Sequence, residues 1–261
     1  MNRRAARVAA ALVAATCAVG YAQQRAIAPE ALRSGVTFAG PAVRAMQVDD
    51  AANPAMLWVE RGERLWREPP VANAKSCAAC HGDATASMRG VASRFPKVAA
   101  NGAVVDVEAQ INACRAERQN AAPLARESED LLALTSFVAM QSRGTPTSVT
   151  IDGPAAAAFE RGRKFYYERH GQMNLSCAQC HEQNWGKRLL AETVSQGHGN
   201  AFPAYRLEWQ AVGSLDRRLR ACLFGIRAEM PAPGAPELLD VALFLGWRAQ
   251  GLPIETPGVR R

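Results

Sequence analysis

Two C-x-x-C-H motifs, one hundred residues apart, constrain this chain more than any other feature. The first is Cys77, Cys80 and His81 in "AKSCAACHGDAT"; the second is Cys177, Cys180 and His181 in "NLSCAQCHEQNW". Two thiols three positions apart can add to the vinyl groups on one edge of a porphyrin. The histidine that follows then reaches the iron from one face, so the pattern attaches a c-type haem. A disulfide or half of a zinc site competes with that reading for a lone motif. Two motifs at equivalent points of a repeat, behind an export signal, favour two covalently bound haem c groups, with His81 and His181 as proximal ligands.

The repeat extends well beyond the motifs. "MLWVERGERLW" at 56–66 matches "AAAFERGRKFY" at 156–166. The pair Phe95–Pro96 recurs at Phe202–Pro203, so the second copy carries seven extra residues after its motif. "LLALTSFVAMQSRG" at 131–144 recurs as "LLDVALFLGWRAQG" at 238–251, and the turn-rich link "TPTSVTIDGP" at 145–154 separates the copies. Leu131, Leu134 and Val138 share one helical face, as do Leu238, Val241, Ala242 and Leu245, and Pro236 suits a first helical turn. A helix with E-R-G, then the motif, then long loops, then a closing amphipathic helix resembles the cytochrome c fold. The expected architecture is mainly α: two tandem cytochrome c-like domains related by internal duplication, at 53–146 and 147–261, behind an N-terminal arm at 23–52.

Residues 1–22 read as a secretory signal peptide: a basic "MNRRAAR", a short Ala-rich apolar run, and small residues before Gln23. The apolar run is short for a membrane anchor. Removing Arg3, Arg4 and Arg7 lowers the formal charge from +7 to +4. No basic run interleaved with aromatics argues for nucleic acid. A soluble, exported, periplasmic protein is expected.

Of seven cysteines, Cys17 leaves with the signal and four enter thioethers. Cys114 in "INACRAERQ" and Cys222 in "RLRACLFGIRAEM" remain, 19 and 20 residues after Phe95 and Phe202, the first residues of the two F–P pairs. Two spare thiols outside the cytoplasm ordinarily form a disulfide. Their equivalent positions, between motif and closing helix, instead favour each thiolate as the distal ligand of its own iron. Thiolate ligation stabilises ferric iron, an odd choice for a simple electron shuttle. Met230 in "EMPAPG" is the rival at the second iron, whereas His170 and His198 read as surface or loop histidines.

"GQMNLSCAQCHEQNWGKRL", followed by "FPAYRLEWQAVGSLDRRLRACLFGIRAE", closely resembles the SoxA family, the c-type cytochrome subunits of the SoxAX complex in periplasmic sulfur oxidation. The resemblance covers nearly the whole mature chain and is strongest over 171–251. It implies an L-cysteine S-thiosulfotransferase that works with a SoxX cytochrome partner. Thiosulfate is coupled oxidatively to a cysteine of the SoxYZ carrier, and two electrons leave through SoxX to a soluble cytochrome c. It implies Cys222 as the catalytic, persulfide-bearing haem ligand, Arg218 as the active-site arginine and Cys114 as the ligand of the N-terminal haem. Arg218 and Cys222 are i and i+4, neighbours on one face of a helix, where a cation favours thiolate and can hold an anion. Arg217 and Arg220 point elsewhere on such a helix, and Arg206 is equally well read as a surface ion pair. A thiosulfate dehydrogenase forming tetrathionate is the alternative, followed by a plain dihaem electron carrier with Met230 on the second iron.

Overall fold

The computed structural model describes residues 26–261. The expected signal peptide at 1–22, including Cys17, lies outside the described residues. Among the described residues no helix is long and apolar enough to cross a membrane.

Among the described residues ten α-helices follow in chain order: α1 Pro41–Val48, α2 Met56–Arg67, α3 Cys77–His81, α4 Ala84–Ser87, α5 Val107–Arg118, α6 Glu129–Met140, α7 Ala156–Tyr167, α8 Cys177–His181, α9 Leu215–Gly225 and α10 Pro236–Arg248. Two helix pairs dominate the packing, α2 with α6 and α7 with α10. α2 buries Val59, Gly62 and Trp66, and α7 buries Phe159, Gly162 and Tyr166 at the same spacing, together with Ala158. The i, i+3, i+7 spacing puts each set on one helical face.

The E-R-G tripeptide marks each crossing. A Cβ built on Gly62 would sit 2.1 Å from the Ala133 carbonyl oxygen, and one on Gly162 would sit 2.0 Å from that of Asp240. Only glycine lets the backbones approach this closely. The preceding arginine then clamps the partner helix. Arg61 donates from Nε to Asp130 at 2.8 Å, and Arg161 grips Asp240 through Nε at 2.6 Å and Nη2 at 3.1 Å.

The closing helices depart from the expected amphipathic pattern. α6 buries every residue from Leu131 to Ala139, and α10 buries Leu238, Asp240 to Leu245 and Arg248. Each is covered on nearly all sides, because loops and the neighbouring half pack on the face away from its partner helix. Phe159 meets Phe244 and Trp247 at ring-centroid distances of 5.4 and 5.2 Å in the largest core cluster.

Short strands complete the fold: hairpin β1 Lys97–Val98 with β2 Val104–Val105, hairpin β3 Arg188–Leu189 with β4 Glu192–Thr193, and a sheet ordered β6-β5-β7. In that sheet β5 (Ala204–Arg206) runs antiparallel to β6 (Ala211–Gly213) and parallel to β7 (Gly258–Arg260). The N-terminal arm folds against the C-terminal segment. Asn53 donates to the Pro257 carbonyl at 3.0 Å, and the Gln47 side chain accepts from the Val259 amide at 3.1 Å. Farther up the arm, Gln196 accepts from the Arg33 amide at 2.8 Å and donates to the Ala31 carbonyl at 3.0 Å.

A polar seam joins the halves beside a cavity of about 130 Å³ lined in part by Asp106, Glu108 and Asp216. Arg126 binds Asp106 at 2.6 Å and Glu108 at 3.3 Å, and Ser214 donates to Glu127. Burial, with Asp106, Glu127 and Asp216 nearby, pushes Glu108 up to about 8 against the pull of Arg126. Burial also raises Glu127 and Asp216.

Two outcomes follow from this packing. Gly162→Ala must push α7 off α10 and is expected to cost about 3 kcal/mol, at the upper end of overpacking penalties; guanidinium titration of the holoprotein measures it. Glu108 has a folded pKa above its unfolded value, so its contribution is full below about 4.5 and is lost as pH rises through about 8. Glu108→Gln should therefore flatten stability between pH 5 and 8.5, and should gain at least about 1 kcal/mol at the upper end, the worth of one pKa unit. An unchanged pH slope would place the titration elsewhere in the seam.

Candidate functional site

Both motifs fold as one and a half turns of helix held by a serine cap. Ser176 accepts from the Gln179 amide at 3.2 Å while the Gln179 side chain accepts from the Ser176 amide at 2.8 Å, a reciprocal capping box. Ser76 accepts from the Ala79 amide at 3.0 Å in the first motif. The helical turn places each pair of cysteines on adjoining positions with the histidine directly after them.

His181 is a fixed side chain. Its Nδ1 lies 2.8 Å from the Ser195 carbonyl and donates to it, which puts a proton on Nδ1 and leaves Nε2 to face Cys222. Gly197, at φ +74°, lies flat against the ring: a Cβ there would be 2.8 Å from His181 Cγ. Ser195 and Gly197 both belong to the stretch lengthened in the second copy. Arg248 holds this loop from the other side, donating to the Gln196 carbonyl at 2.9 Å, pairing with Glu182 at 3.3 Å and lying 4.6 Å over the Tyr166 ring.

Cys222 approaches the same imidazole from α9. Ser214 caps that helix by accepting from the Arg217 amide at 3.1 Å, and Arg218 and Cys222 share a face four residues apart. Burial pushes the Cys222 thiol up. The hydrogen bond with His181 and the charges of Arg218, His181 and Arg206 outweigh it, and the thiol falls to about 7. Cys177 runs the other way, pushed up to about 12 by burial and the neighbouring Cys222, and burial also raises Cys180 and Cys77. The thiol favoured as an anion is thus the one outside the motif.

An iron between His181 and Cys222 fits this arrangement: a pre-oriented imidazole nitrogen faces a sulfur poised as thiolate. Among the described residues no three His, Cys, Asp or Glu side chains converge on a common metal point. Two donors per site are what an iron needs when a porphyrin supplies the other four.

The first motif is built more loosely. His81 is exposed and rests against Trp66 at 5.6 Å, and Trp66 donates from Nε1 to the Gly82 carbonyl at 3.2 Å. Cys114 lies on α5, close enough to Cys77 to act on its charge, and Gln110 donates to the Cys114 sulfur at 3.8 Å. All six cysteines from Cys77 onward are unpaired, so Cys114 and Cys222 form no disulfide. Met230 is exposed. His170 bonds the Phe165 carbonyl at 2.8 Å, and His198, buried rather than at the surface, bonds Gln196 at 3.1 Å.

Residues 61–147 match the cytochrome c domain of the SoxA/TsdA family. Over 230 residues the chain is 41% identical to the L-cysteine S-thiosulfotransferase subunit SoxA of Pseudaminobacter salicylatoxidans, covering 87% of this chain and 80% of that one. The protein of the same name from Rhodovulum sulfidophilum is 40% identical over 230 residues, covering 88% and 80%. The crystal structure of SoxXA from P. pantotrophus superposes with a TM-score of 0.85 at 36% identity, covering 88% of this chain and 87% of that one. The chain belongs to the SoxA family.

SoxA membership makes this a c-type cytochrome with covalently attached haem iron. Within this SoxA chain, Arg217 stacks over Trp209 at 4.2 Å and Arg220 donates to the Pro231 carbonyl at 2.9 Å, both away from Cys222 as their helical positions suggested. Arg206 differs from the surface ion pair considered for it: it is 7% exposed. Sequence reasoning missed the Ser195–Gly197 cradle, although the seven extra residues pointed to that loop.

Gly197→Ala is expected to displace His181, lower stability by about 1–3 kcal/mol and broaden the low-spin ferric signal of the second site. Gly102→Ala is the control: its φ is +80° but its Cβ would meet nothing within 4 Å. An equal effect at both positions would assign the loss to backbone strain rather than to the imidazole.

Proposed function

We infer that the chain is the haem-bearing SoxA subunit of an L-cysteine S-thiosulfotransferase, and that Cys222 is the atom on which it works. The observation that carries this is the meeting of the Cys222 sulfur with the His181 imidazole, with Arg218 one turn away on the same face of α9. A thiolate beside fixed cations is the group that can meet a sulfur oxyanion and bond to its terminal sulfur.

Residues 1–22 export the chain to the periplasm, and 23–52 form an arm. Residues 53–146 and 147–261 are duplicated cytochrome c-like domains, a reading supported by the matched glycine crossings of α2 with α6 and α7 with α10. Cys77 and Cys80 attach one haem c, ligated by His81 and Cys114; Cys177 and Cys180 attach the other, ligated by His181 and Cys222. The partner is a SoxX cytochrome, and the acceptor of the product is a cysteine of SoxYZ.

In the reaction, the Cys222 thiolate bonds to the outer sulfur of thiosulfate, and two electrons leave. The carrier thiolate then attacks that sulfur, taking the thiosulfonate and returning Cys222 as thiolate. The sum is one carrier thiol and one thiosulfate giving one carrier S-thiosulfonate, one proton and two electrons. Bound haem supplies the route by which the electrons pass to SoxX and on to a soluble cytochrome c. His181 holds its geometry through Ser195, Arg218 offsets the negative charge of two anions meeting, and Arg248 holds the loop that carries Ser195 through the Gln196 carbonyl.

Cys222→Ala should retain both haem masses and lose carrier conjugation by at least about a thousandfold, as expected for loss of a nucleophile. Mass spectrometry of the carrier, with and without thiosulfate, reads the outcome. A Cys222→Ala protein that still conjugates would overturn the assignment. Tetrathionate formed without carrier would favour a thiosulfate dehydrogenase.

A further inference from the structure

Arg206 is a buried cation with more hydrogen-bonding capacity than the protein uses. Its side chain is 9% exposed, and Nε is sealed from solvent with no partner. Among the described residues its one ion pair is with Glu208, from Nη2 at 2.9 Å, and that carboxylate is itself 54% exposed. The Trp209 ring, which also carries Arg217, stacks against the guanidinium at 5.0 Å. Position is set by backbone: Arg206 ends β5, paired with Ala211 of β6 on one side and Arg260 of β7 on the other. Leaving a guanidinium N–H buried and unmade is costly, and such groups are held where something else completes them.

The surroundings point to an anion. Arg206 interacts repulsively with Arg218 and with Arg260, and attractively with Cys222. Arg260 is engaged by Glu255 and Gln47, whereas Arg218 makes no ion pair among the described residues. Glu208 is the carboxylate that acts on both Arg206 and Arg218. Two under-compensated guanidinium groups therefore act on one sulfur.

The two halves differ at these positions. Four residues before Cys222 stands Arg218; four before Cys114 stands Gln110. Three residues after Pro203 stands Arg206; three after Pro96 stands Ala99. The first half has neither arginine, although its hairpin and helix occupy the same places in the chain. Both arginines are surplus to holding a motif helix, a hairpin and a cysteine in place.

We propose that Arg206 is a substrate-binding residue which, with Arg218, seats the sulfonate end of thiosulfate beside the Cys222 sulfur. The inference rests on the reading that thiosulfate reacts at Cys222. A dianion with three oxygens at one end suits two planar forks better than one. With the oxygens held by the arginines, the outer sulfur is directed at Cys222.

The test uses the holoprotein with its SoxX partner. Arg206→Gln should raise KM for thiosulfate about tenfold or more, the loss of one charged hydrogen-bonding partner. It should weaken thiosulfate binding by the same factor in calorimetry without carrier, while KM for the carrier stays put. Arg206→Lys should recover part of the affinity. Glu208→Gln, a change at an exposed side chain, should tighten binding about two- to threefold by freeing Arg206, and it carries the test should the Arg206 variants not fold. Unchanged thiosulfate affinity in Arg206→Gln overturns the proposal. So does a shifted haem potential with affinity intact, which would assign Arg206 to a haem carboxylate. Cys222→Ala run alongside separates the two readings: if it conjugates normally, the Cys222 assignment fails; if it is inactive while Arg206→Gln binds thiosulfate normally, the Arg206 proposal alone fails.

Discussion

Backbone contact at two glycines sets the position of everything that follows. At Gly162 the α7 helix lies against the Asp240 carbonyl with no room for a methyl group, and at Gly62 the α2 helix does the same against Ala133. Each crossing fixes a long helix before its motif and a long helix near the end of its half. The short motif helix and the cysteine-bearing helix then hang between them. Arg161 and Arg61 keep the crossings from sliding, because each grips an acidic residue on the partner helix. Apart from these pairs, little regular structure holds the halves: the strands are two or three residues long.

Chemistry at the second site comes from a balance of opposing effects. Burial alone would leave Cys222 as a neutral thiol, as it leaves Cys177. The imidazole hydrogen bond and two guanidinium charges reverse that. The imidazole can contribute only because its other nitrogen is tied to Ser195, and Ser195 stays in place because the adjoining Gln196 is gripped by Arg248 and by the arm at Ala31 and Arg33. The charge state of one sulfur therefore depends on contacts that begin at the first residues of the described chain.

Much of this was legible in the sequence. The E-R-G tripeptides, the motifs, the F–P pairs and the spare cysteines could be laid out as two parallel sets, and Pro236 does open the last long helix. The closing helices misled by their pattern. Leu131, Leu134 and Val138 mark one face, but the residues between them are small or apolar and are buried too, since both faces are covered. Arg206 was undervalued because its neighbour Glu208 invites a surface pairing; burial is a property of the β6-β5-β7 sheet, whose third strand arrives more than fifty residues later. Distances of that kind are not written in local pattern. The contrast of Arg218 with Gln110 and Arg206 with Ala99 was available by aligning the chain with itself.

That contrast gives the chain an internal reference. One histidine is cradled by a glycine and locked to a carbonyl, the other lies exposed on a tryptophan; one sulfur sits among guanidinium groups, the other beside a neutral amide. Each half offers one motif histidine and one further cysteine, and the surroundings differ. Any spectroscopic or electrochemical difference between the two positions, recorded in a single sample at one pH and one ionic strength, therefore measures what the surroundings add to one histidine and one cysteine.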